Sequence, residues 1–167
     1  MPTEPAVEIR DAVIEDWTSI WPFFAAIVED QETYPYDPGM TSQQARELWF
    51  GGVLDRTIVA LVDGRIVGTA KMGANRAGPG DHIATGSFMV DTSCRSMGIG
   101  RRLGEELIAW AARAGFYGIQ FNAVVETNEA AVHLWRSLGF QSVGVVPDTH
   151  RSPTHGLVGT HVMFRRL

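Results

Sequence analysis

The sequence holds one cysteine, Cys94. An intrachain disulfide is therefore excluded, and a reducing compartment, the cytoplasm, is the expected setting. No stretch approaches the roughly 18 apolar residues of a membrane span. The polar start, residues 1–10, lacks the apolar centre of a secretory leader. An excess of positive charge is missing too: 14 Lys and Arg stand against 19 Asp and Glu, for a formal charge of −5. Nucleic acid and a polybasic membrane contact are thus disfavoured as partners. His150, His155 and His161 lack the spacing of metal ligands, so no metal is expected. Cys94 adjoins Arg95 but has no evident His or Asn partner for nucleophilic work. There is no internal repeat and no low-complexity tract. What is present is ordinary for a globular protein: 45% hydrophobic and 20% charged residues in a chain of 167. That suits one domain over residues 1–167 with a real core.

Residues 6–10 alternate Val7 and Ile9 with Glu8 and Arg10, as a strand does. Asp16 is placed to cap a helix whose apolar stripe is Trp17, Ile20, Trp21, Phe24, Ile27 and Val28. Pro22 lies inside that stripe, so the helix either kinks there or begins near Ser19 with Pro22 in its first turn. Residues 29–40 read as a loop. Thr41 and Gln44 form a capping box for a short helix ended by Gly51-Gly52. Residues 57–62 and 65–73 pair across an Asp63-Gly64 turn. A glycine-rich loop, 75–81, leads to a strand over 82–90. After a helix to about Arg113, residues 119–126 form a strand. Ile119, Phe121, Ala123 and Val125 face one way there, and Gln120, Asn122, Val124 and Glu126 the other. Asn128 caps a helix that buries Ala131, Leu134, Trp135 and Leu138. Residues 140–146 and 157–166 are strands around a polar loop, 147–156. The order β, α, α, β, β, β, α, β, α, β, β predicts an α/β (α+β) protein with a largely antiparallel sheet.

The chain is organised around residues 90–107. The strand residues Ser87, Phe88, Met89 and Val90 stop at Asp91, and a polar loop follows. Gly98 and Gly100 then open a helix whose apolar face is Leu103, Leu107, Ile108 and Ala111. A helix N-terminus has unpaired N–H groups and partial positive charge, each worth about 0.3–1 kcal/mol to an anion. Two glycines let a phosphate touch the backbone. Arg95, Arg101 and Arg102 add permanent positive charge. These features predict a pyrophosphate cradle. A nucleotide P-loop is ruled out because no lysine and hydroxyl pair follows the glycines. A dinucleotide fingerprint is ruled out because Leu103 stands where its third glycine belongs.

The hexapeptide Arg95-Ser96-Met97-Gly98-Ile99-Gly100 resembles the acyl-CoA pyrophosphate loop, Arg-x-x-Gly-x-Gly, of the GNAT superfamily of N-acyltransferases. A second stretch, residues 128–140, resembles that superfamily's Asn-x-x-Ala-x-x-Leu-Tyr-x-x-x-Gly-Phe signature, with Trp135 in place of the tyrosine. The resemblance implies a mixed, mostly antiparallel sheet of about seven strands flanked by about four helices and splayed between strands 4 and 5. It implies acetyl-CoA, or a related acyl-CoA, as donor. Phe88, Met89 and Val90 would hold its thioester end by backbone. Arg95, Ser96, Met97, Gly98, Ile99, Gly100 and Arg101 would hold the diphosphate. Asn128, Ala131 and Trp135 would complete its seat.

Acyl transfer to an amine needs a neutral nitrogen, donors for the tetrahedral oxyanion and a leaving thiolate. The N–H of Met89 or Val90 on a splayed strand could serve the oxyanion. Many relatives protonate the thiolate with the tyrosine that Trp135 replaces, and an indole N–H is no acid. Either Tyr34 or Tyr36 reaches in, or no acid is needed, since a thiol of pKa about 8.5 leaves readily. For the base, Glu29, Glu32, His82 and Glu126 are candidates beside a solvent relay, with Asn122 positioning water or amine.

Residues 32–34, 82–90 and 122–128 are similar to a subgroup that includes phosphinothricin and azetidine-2-carboxylate acetyltransferases. That resemblance implies a small amino or imino acid as acceptor, in a pocket lined by Thr33, Tyr34, Thr85, Asn122 and the loop 147–156. Thr85 stands where the subgroup has a substrate-holding asparagine. Two other functions remain open on sequence: a protein or peptide N-acetyltransferase, and a non-catalytic acyl-CoA-binding module. Exposed C-terminal strands add a homodimer to the expectations.

Overall fold

The computed structural model describes residues 6–52 and 55–167. Among the described residues are seven strands: β1 (Val7–Asp11), β2 (Arg56–Val62), β3 (Arg65–Ala74), β4 (Ile83–Val90), β5 (Gly118–Val125), β6 (Gln141–Ser152) and β7 (Gly156–Arg166). They form one sheet in the order β1-β2-β3-β4-β5-β7-β6. Every neighbouring pair is antiparallel except β4–β5, which is parallel. The mixed, mostly antiparallel sheet expected from the sequence is therefore observed.

Strand alternation sorts the side chains between two cores. Ile58, Ala60 and Val62 of β2 join Ala70 and Met72 of β3 and Ala84 of β4 beneath α3 (Ile99–Arg113) and α4 (Glu129–Ser137). Val59, Leu61 and Met89 face the other way, against α1 (Trp17–Asp30) and α2 (Ser42–Phe50). On α3 the stripe Leu103, Leu107 and Ala111 is fully buried, each leucine contributing about 1.5–3 kcal/mol. Gly104 lies on the same helix where α3 crosses α4. A Cβ there would come within 2.8 Å of Trp135 and 2.9 Å of Leu138. Glycine at this position sets how closely the two helices approach.

The helix starts differ from expectation in one place. Asp16 does not cap α1 with its side chain. Its carboxylate instead accepts from the Val13 N–H and from two guanidinium nitrogens of Arg10, at 2.7 and 2.9 Å. A short 3-10 turn, Ile14–Asp16, leads straight into α1 at Trp17. Pro22 therefore sits beyond the first turn, where its missing N–H leaves the Thr18 carbonyl without an intrahelical donor. The Thr41/Gln44 capping box forms as expected, with the two bonds at 3.2 and 2.9 Å. Asn128 caps α4 through Oδ1, which accepts from the Ala131 N–H.

Two strands also depart from the simple pattern. The register of β5 against β7 slips between Phe121 and Val124. The extra residue turns Val124 to the face of Phe121, and both pack in the α3–α4 core. Strict alternation through residues 119–126 is thus broken at Asn122 and Ala123. The polar stretch 147–156 is not a loop: β6 runs on to Ser152 through an irregularity between Val146 and His150, and only 153–155 turn. Polarity misled here because β6 is the sheet edge and exposed along most of its length. No described helix is long and apolar enough to cross a membrane.

Candidate active site

The parallel strands β4 and β5 pair only at Ile83–Gly118 and Ala84–Ile119. Beyond these positions they part, and the bulge at Asn122 lies on the parting side. The indole of Trp135 stands beneath the opening from α4. Its centroid is 4.7 Å from Phe88 on β4 and 4.6 Å from Phe121 on β5. Phe140 stacks on Phe121 at 4.5 Å. The residue is 6% exposed, so its ring acts as a wedge between the strands and presents no acid to them.

Within the opening, the backbone of β4 is read by one side chain. The Tyr34 hydroxyl accepts from the Phe88 N–H at 2.7 Å and donates to the Phe88 carbonyl at 2.6 Å. Phe88 therefore points its amide toward β5 and away from β3. Alternation along an antiparallel ladder then turns Val90 to the same side and Met89 to β3. The Asp91 N–H, bonded to Val67 O on β3, fits this phase. The donor expected of Met89 is thus committed to the sheet, and Phe88 and Val90 are the residues whose amides face the gap. Burial raises the Tyr34 phenol above its ordinary range, with the neighbouring Tyr36 adding to the shift and bonds to Phe88 and Ser87 opposing it. Tyr36 is raised by burial as well.

At the far end of β4, Asp91 closes a short turn through bonds from the Ser93 N–H and hydroxyl, at 2.9 and 2.8 Å. Desolvation pushes its carboxyl up, but those bonds and Arg65 outweigh it and hold the group below the usual carboxylate range. The loop then alternates: Ser96 (φ 65°) and Gly98 (φ 71°) are both left-handed. Such alternation turns successive N–H groups into one concavity that takes an anion. Arg102 is the first helix residue whose N–H finds an acceptor, Gly98 O at 3.0 Å. The N–H groups of Ile99, Gly100 and Arg101 have no protein acceptor among the described residues. Arg101 reaches across to the Ser137 hydroxyl at 2.7 Å, tying α3 to α4, and Arg102 pairs with Glu105. Arg95 has no hydrogen bond or ion pair among the described residues, so its guanidinium is free for a ligand. Free amides, a left-handed glycine and a free guanidinium fit a diphosphate.

The other face of the gap is polar and uncharged. Asn122 and Asn75 exchange reciprocal amide bonds at 2.7 and 3.2 Å, and the Gln120 amide donates to Asn122 Oδ1 at 3.0 Å. Asn75 follows β3, so this pair bridges over β4 to the bulge of β5. Thr85 lies two and four residues before Ser87 and Met89 and shares their face. The loop after α1 is fastened twice. His150 Nε2 meets Gln31 O at 2.8 Å, and the Glu32 carboxylate accepts from the Ser152 hydroxyl, the Thr154 hydroxyl and the Thr154 N–H. These bonds, Ser152 first, hold Glu32 below the ordinary carboxylate range. Glu32 is therefore an anchor for the β6–β7 turn. Thr33 is half-buried beside it. Glu29 is exposed on α1 with no bonded partner among the described residues. Glu126 accepts from the Gly159 N–H and lines a hollow of about 250 Å³ with His133 and His161 under α4. The bulge thus sends Glu126 to the face opposite Asn122.

Asn75, Ser87 and Gln120 join the site beside the residues that the motifs pointed to. No local signal marks Asn75 or Ser87, which meet partners distant in sequence, and Gln120 joins through Asn122, two residues on, at the bulge. Among the described residues no cluster of three or more His, Cys, Asp or Glu is placed to hold a metal ion.

Comparison with known proteins agrees with this geometry. Residues 12–140 match the acetyltransferase (GNAT) family. N-acetyltransferase aca1 of Schizosaccharomyces pombe is 32% identical, over 81% of this chain and 72% of that protein. A solved GCN5-related N-acetyltransferase from Kribbella flavida is 53% identical, covering 97% of this chain and 98% of the other, with a TM-score of 0.94. A phosphinothricin acetyltransferase from Sinorhizobium meliloti, solved in complex with AcCoA, superposes with a TM-score of 0.85 over 96% of this chain and 88% of that one. At 24% identity the last shares the fold.

Proposed function

The chain belongs to the acetyltransferase (GNAT) family, and on that premise we propose that it acetylates the amine of a small molecule, an amino or imino acid. It is an N-acetyltransferase that uses acetyl-CoA, which supplies an acetyl group activated as a thioester. The observation that carries the reading is the β4–β5 gap, which has an anion cradle on one side and a lining of neutral amides and hydroxyls on the other.

The diphosphate sits on the N–H groups of residues 96–101, with Arg95 closing over it. The backbone of Phe88 and Val90 offers donors and acceptors along the gap. Asn128 keeps its side-chain NH₂ free while Oδ1 caps α4, and Ala131 and Trp135 floor the same side. On the acceptor side, Thr33, Tyr34, Thr85 and Asn122 line the pocket together with Asn75. No carboxylate of this lining is free: Glu32 is held by the hairpin and Glu29 faces solvent. The attacking amine therefore loses its proton to water, positioned by the Asn75–Asn122 pair. The fastening of residues 31–32 to the β6–β7 turn narrows the mouth, which favours a small acceptor over a peptide. The likeness to phosphinothricin acetyltransferases supports an amino acid.

The single cysteine and the mixed surface charge suit the cytoplasm. The chain acts as one domain. The edge strand β6 exposes Val143, Val145 and Val146, and Leu157 is exposed beside it, a surface suited to a second copy. Sedimentation of wild type and Val143→Lys tests this: loss of a dimer in the variant supports it, and a monomeric wild type removes it.

The decisive experiment for function is thiol release from acetyl-CoA across amino acids, imino acids, simple amines and peptides. Turnover with small amino or imino acids and not with peptides supports the reading. Turnover with peptides alone overturns the acceptor class, and binding without turnover across all of them overturns catalysis.

A further inference from the structure

At the gap, α4 presents an indole ring and no hydroxyl. Trp135 fills the place from which a hydroxyl could reach the gap, and its ring is locked between Phe88 and Phe121. Gly104 makes room for that indole, since a Cβ there would lie 2.8 Å from the ring. The hydroxyl that does reach the gap comes from the opposite face of the sheet, 54 residues before Phe88.

We propose that Tyr34 is a catalytic residue: its hydroxyl and the Phe88 N–H together form the two-donor site that holds the acyl oxygen while negative charge develops on it. This rests on the acetyl-transfer reading above and adds to it the residue that stabilises the charge.

The geometry carries the inference. The hydroxyl oxygen lies 2.7 Å from the Phe88 nitrogen and 2.6 Å from the Phe88 oxygen, so donor and amide are side by side on the strand edge that faces the gap. An acyl oxygen arriving there takes the Phe88 N–H. The hydroxyl, displaced from that N–H by a small shift, then turns its proton from the Phe88 carbonyl to the acyl oxygen. The ring is held for this by Tyr36 at 5.2 Å, which stacks in turn on Phe24 at 6.2 Å. Burial raises the phenol above its ordinary value, so it stays protonated through neutral pH and remains a donor. A phenol that must ionise would be disfavoured by the same burial, which is why a donor role suits Tyr34 better than a proton-releasing one.

The bonds balance. The amine nitrogen forms a bond to the acetyl carbon, and the carbonyl π pair moves onto oxygen, between the two donors. The pair returns, the carbon–sulfur bond breaks, and the thiolate leaves with its electrons. The nitrogen's proton passes to water. Tyr34 begins and ends neutral.

The test is the C=O stretch of bound [1-¹³C]acetyl-CoA, read by isotope-edited infrared spectroscopy in wild type, Tyr34→Phe and Tyr36→Phe. Two donors lower the stretch. Tyr34→Phe should raise it toward the value of acetyl-CoA in an aprotic solvent, and Tyr36→Phe should leave it in place. In steady state Tyr34→Phe should lower kcat about 10²-fold, as the loss of one oxyanion donor does, with the acetyl-CoA KM within about threefold. If Tyr34→Phe fails to fold, difluorotyrosine incorporated in a Tyr36→Phe/Tyr117→Phe background leaves Tyr34 as the sole labelled ring. Its stronger donor should lower the stretch further. An unchanged stretch in Tyr34→Phe or in the fluorinated protein overturns the proposal. Wild type that fails to bind acetyl-CoA, or binds it and turns over no amine, overturns the functional reading beneath it, and the expected stretch difference with turnover of peptides alone overturns only the acceptor assignment.

Discussion

The two sides of the β4–β5 gap are built over different distances along the chain. The donor side is local. Residues 91–101 form the cradle from consecutive backbone, and α3 and α4 meet through Gly104 and Trp135, about thirty residues apart. The acceptor side is assembled from far away. Tyr34 meets Phe88 across 54 residues, Asn75 meets Asn122 across 47, and Glu32 meets Ser152 across 120. Chemistry that needs backbone amides at fixed spacing can be written as a short motif. Chemistry that needs side chains to converge from three loops cannot.

That contrast can be broken by substitution, and the largest effect is expected where the donor side is most tightly packed. Gly104→Val places a side chain against Trp135 and Leu138 and should cost about 2–3 kcal/mol of stability, read by denaturant unfolding. If the loss is under ~0.5 kcal/mol, the small residue at the α3–α4 contact is not what sets the spacing. Gly98→Val forces a β-branched residue into a left-handed position, a strain of about 1–2 kcal/mol. The acetyl-CoA Kd should rise about tenfold with all acceptors affected alike, measured by calorimetry. Acceptor-specific changes in that variant would erase the division between the two sides.

Asn122→Ala removes one partner of the bridge over β4. About 1 kcal/mol of hydrogen bonding is lost, so the acceptor KM should rise about fivefold while the acetyl-CoA Kd stays put. A shift in donor affinity instead would show that the amide pair controls the opening of the strands. The smallest effect belongs to a site on neither side. The Asp16 carboxyl is held below its ordinary value chiefly by Arg10, with burial opposing and the Val13 N–H helping. Its contribution is present above the unfolded pKa of about 4 and is lost as pH falls through the lower folded value. Asp16→Asn should lose about 1 kcal/mol at pH 7, partly screened because the Arg10 side chain is 38% exposed. The difference should shrink toward pH 3, and acetyl transfer should be unaffected.

What was legible in the sequence follows the same division. The hairpin at Asp63-Gly64, the Thr41/Gln44 box and the Asn128 cap involve neighbours within a few residues, and the structure forms each of them. The seven-stranded sheet parted at β4–β5 was implied by two short motifs and the order of elements. Asp16 misled because a 3-10 turn and Arg10 together replaced an ordinary cap, while Pro22 left two helix starts open and the structure takes the earlier, at Trp17. The alternation of residues 119–126 failed at a bulge, which depends on the partner strand β7 and leaves no mark in β5 itself. Residues 147–156 read as a loop because an exposed edge strand and a loop share the same polarity. The motif offers Met89 or Val90 as a backbone donor, and ladder phase, which decides amide direction, favours Val90. That phase is set by pairing with β3 and marked by the Tyr34 hydroxyl on Phe88 and by the Asp91 N–H on Val67 O.

Everything proposed for this gap depends on its receiving acetyl-CoA with the diphosphate on the amides ahead of α3. Backbone ¹H–¹⁵N spectra recorded through a titration with coenzyme A test it most directly. The largest shifts should fall on residues 96–101, with Phe88 and Val90 next, while residues of β1 and β2 stay in place. Coenzyme A that binds yet leaves residues 96–101 unshifted would contradict the account.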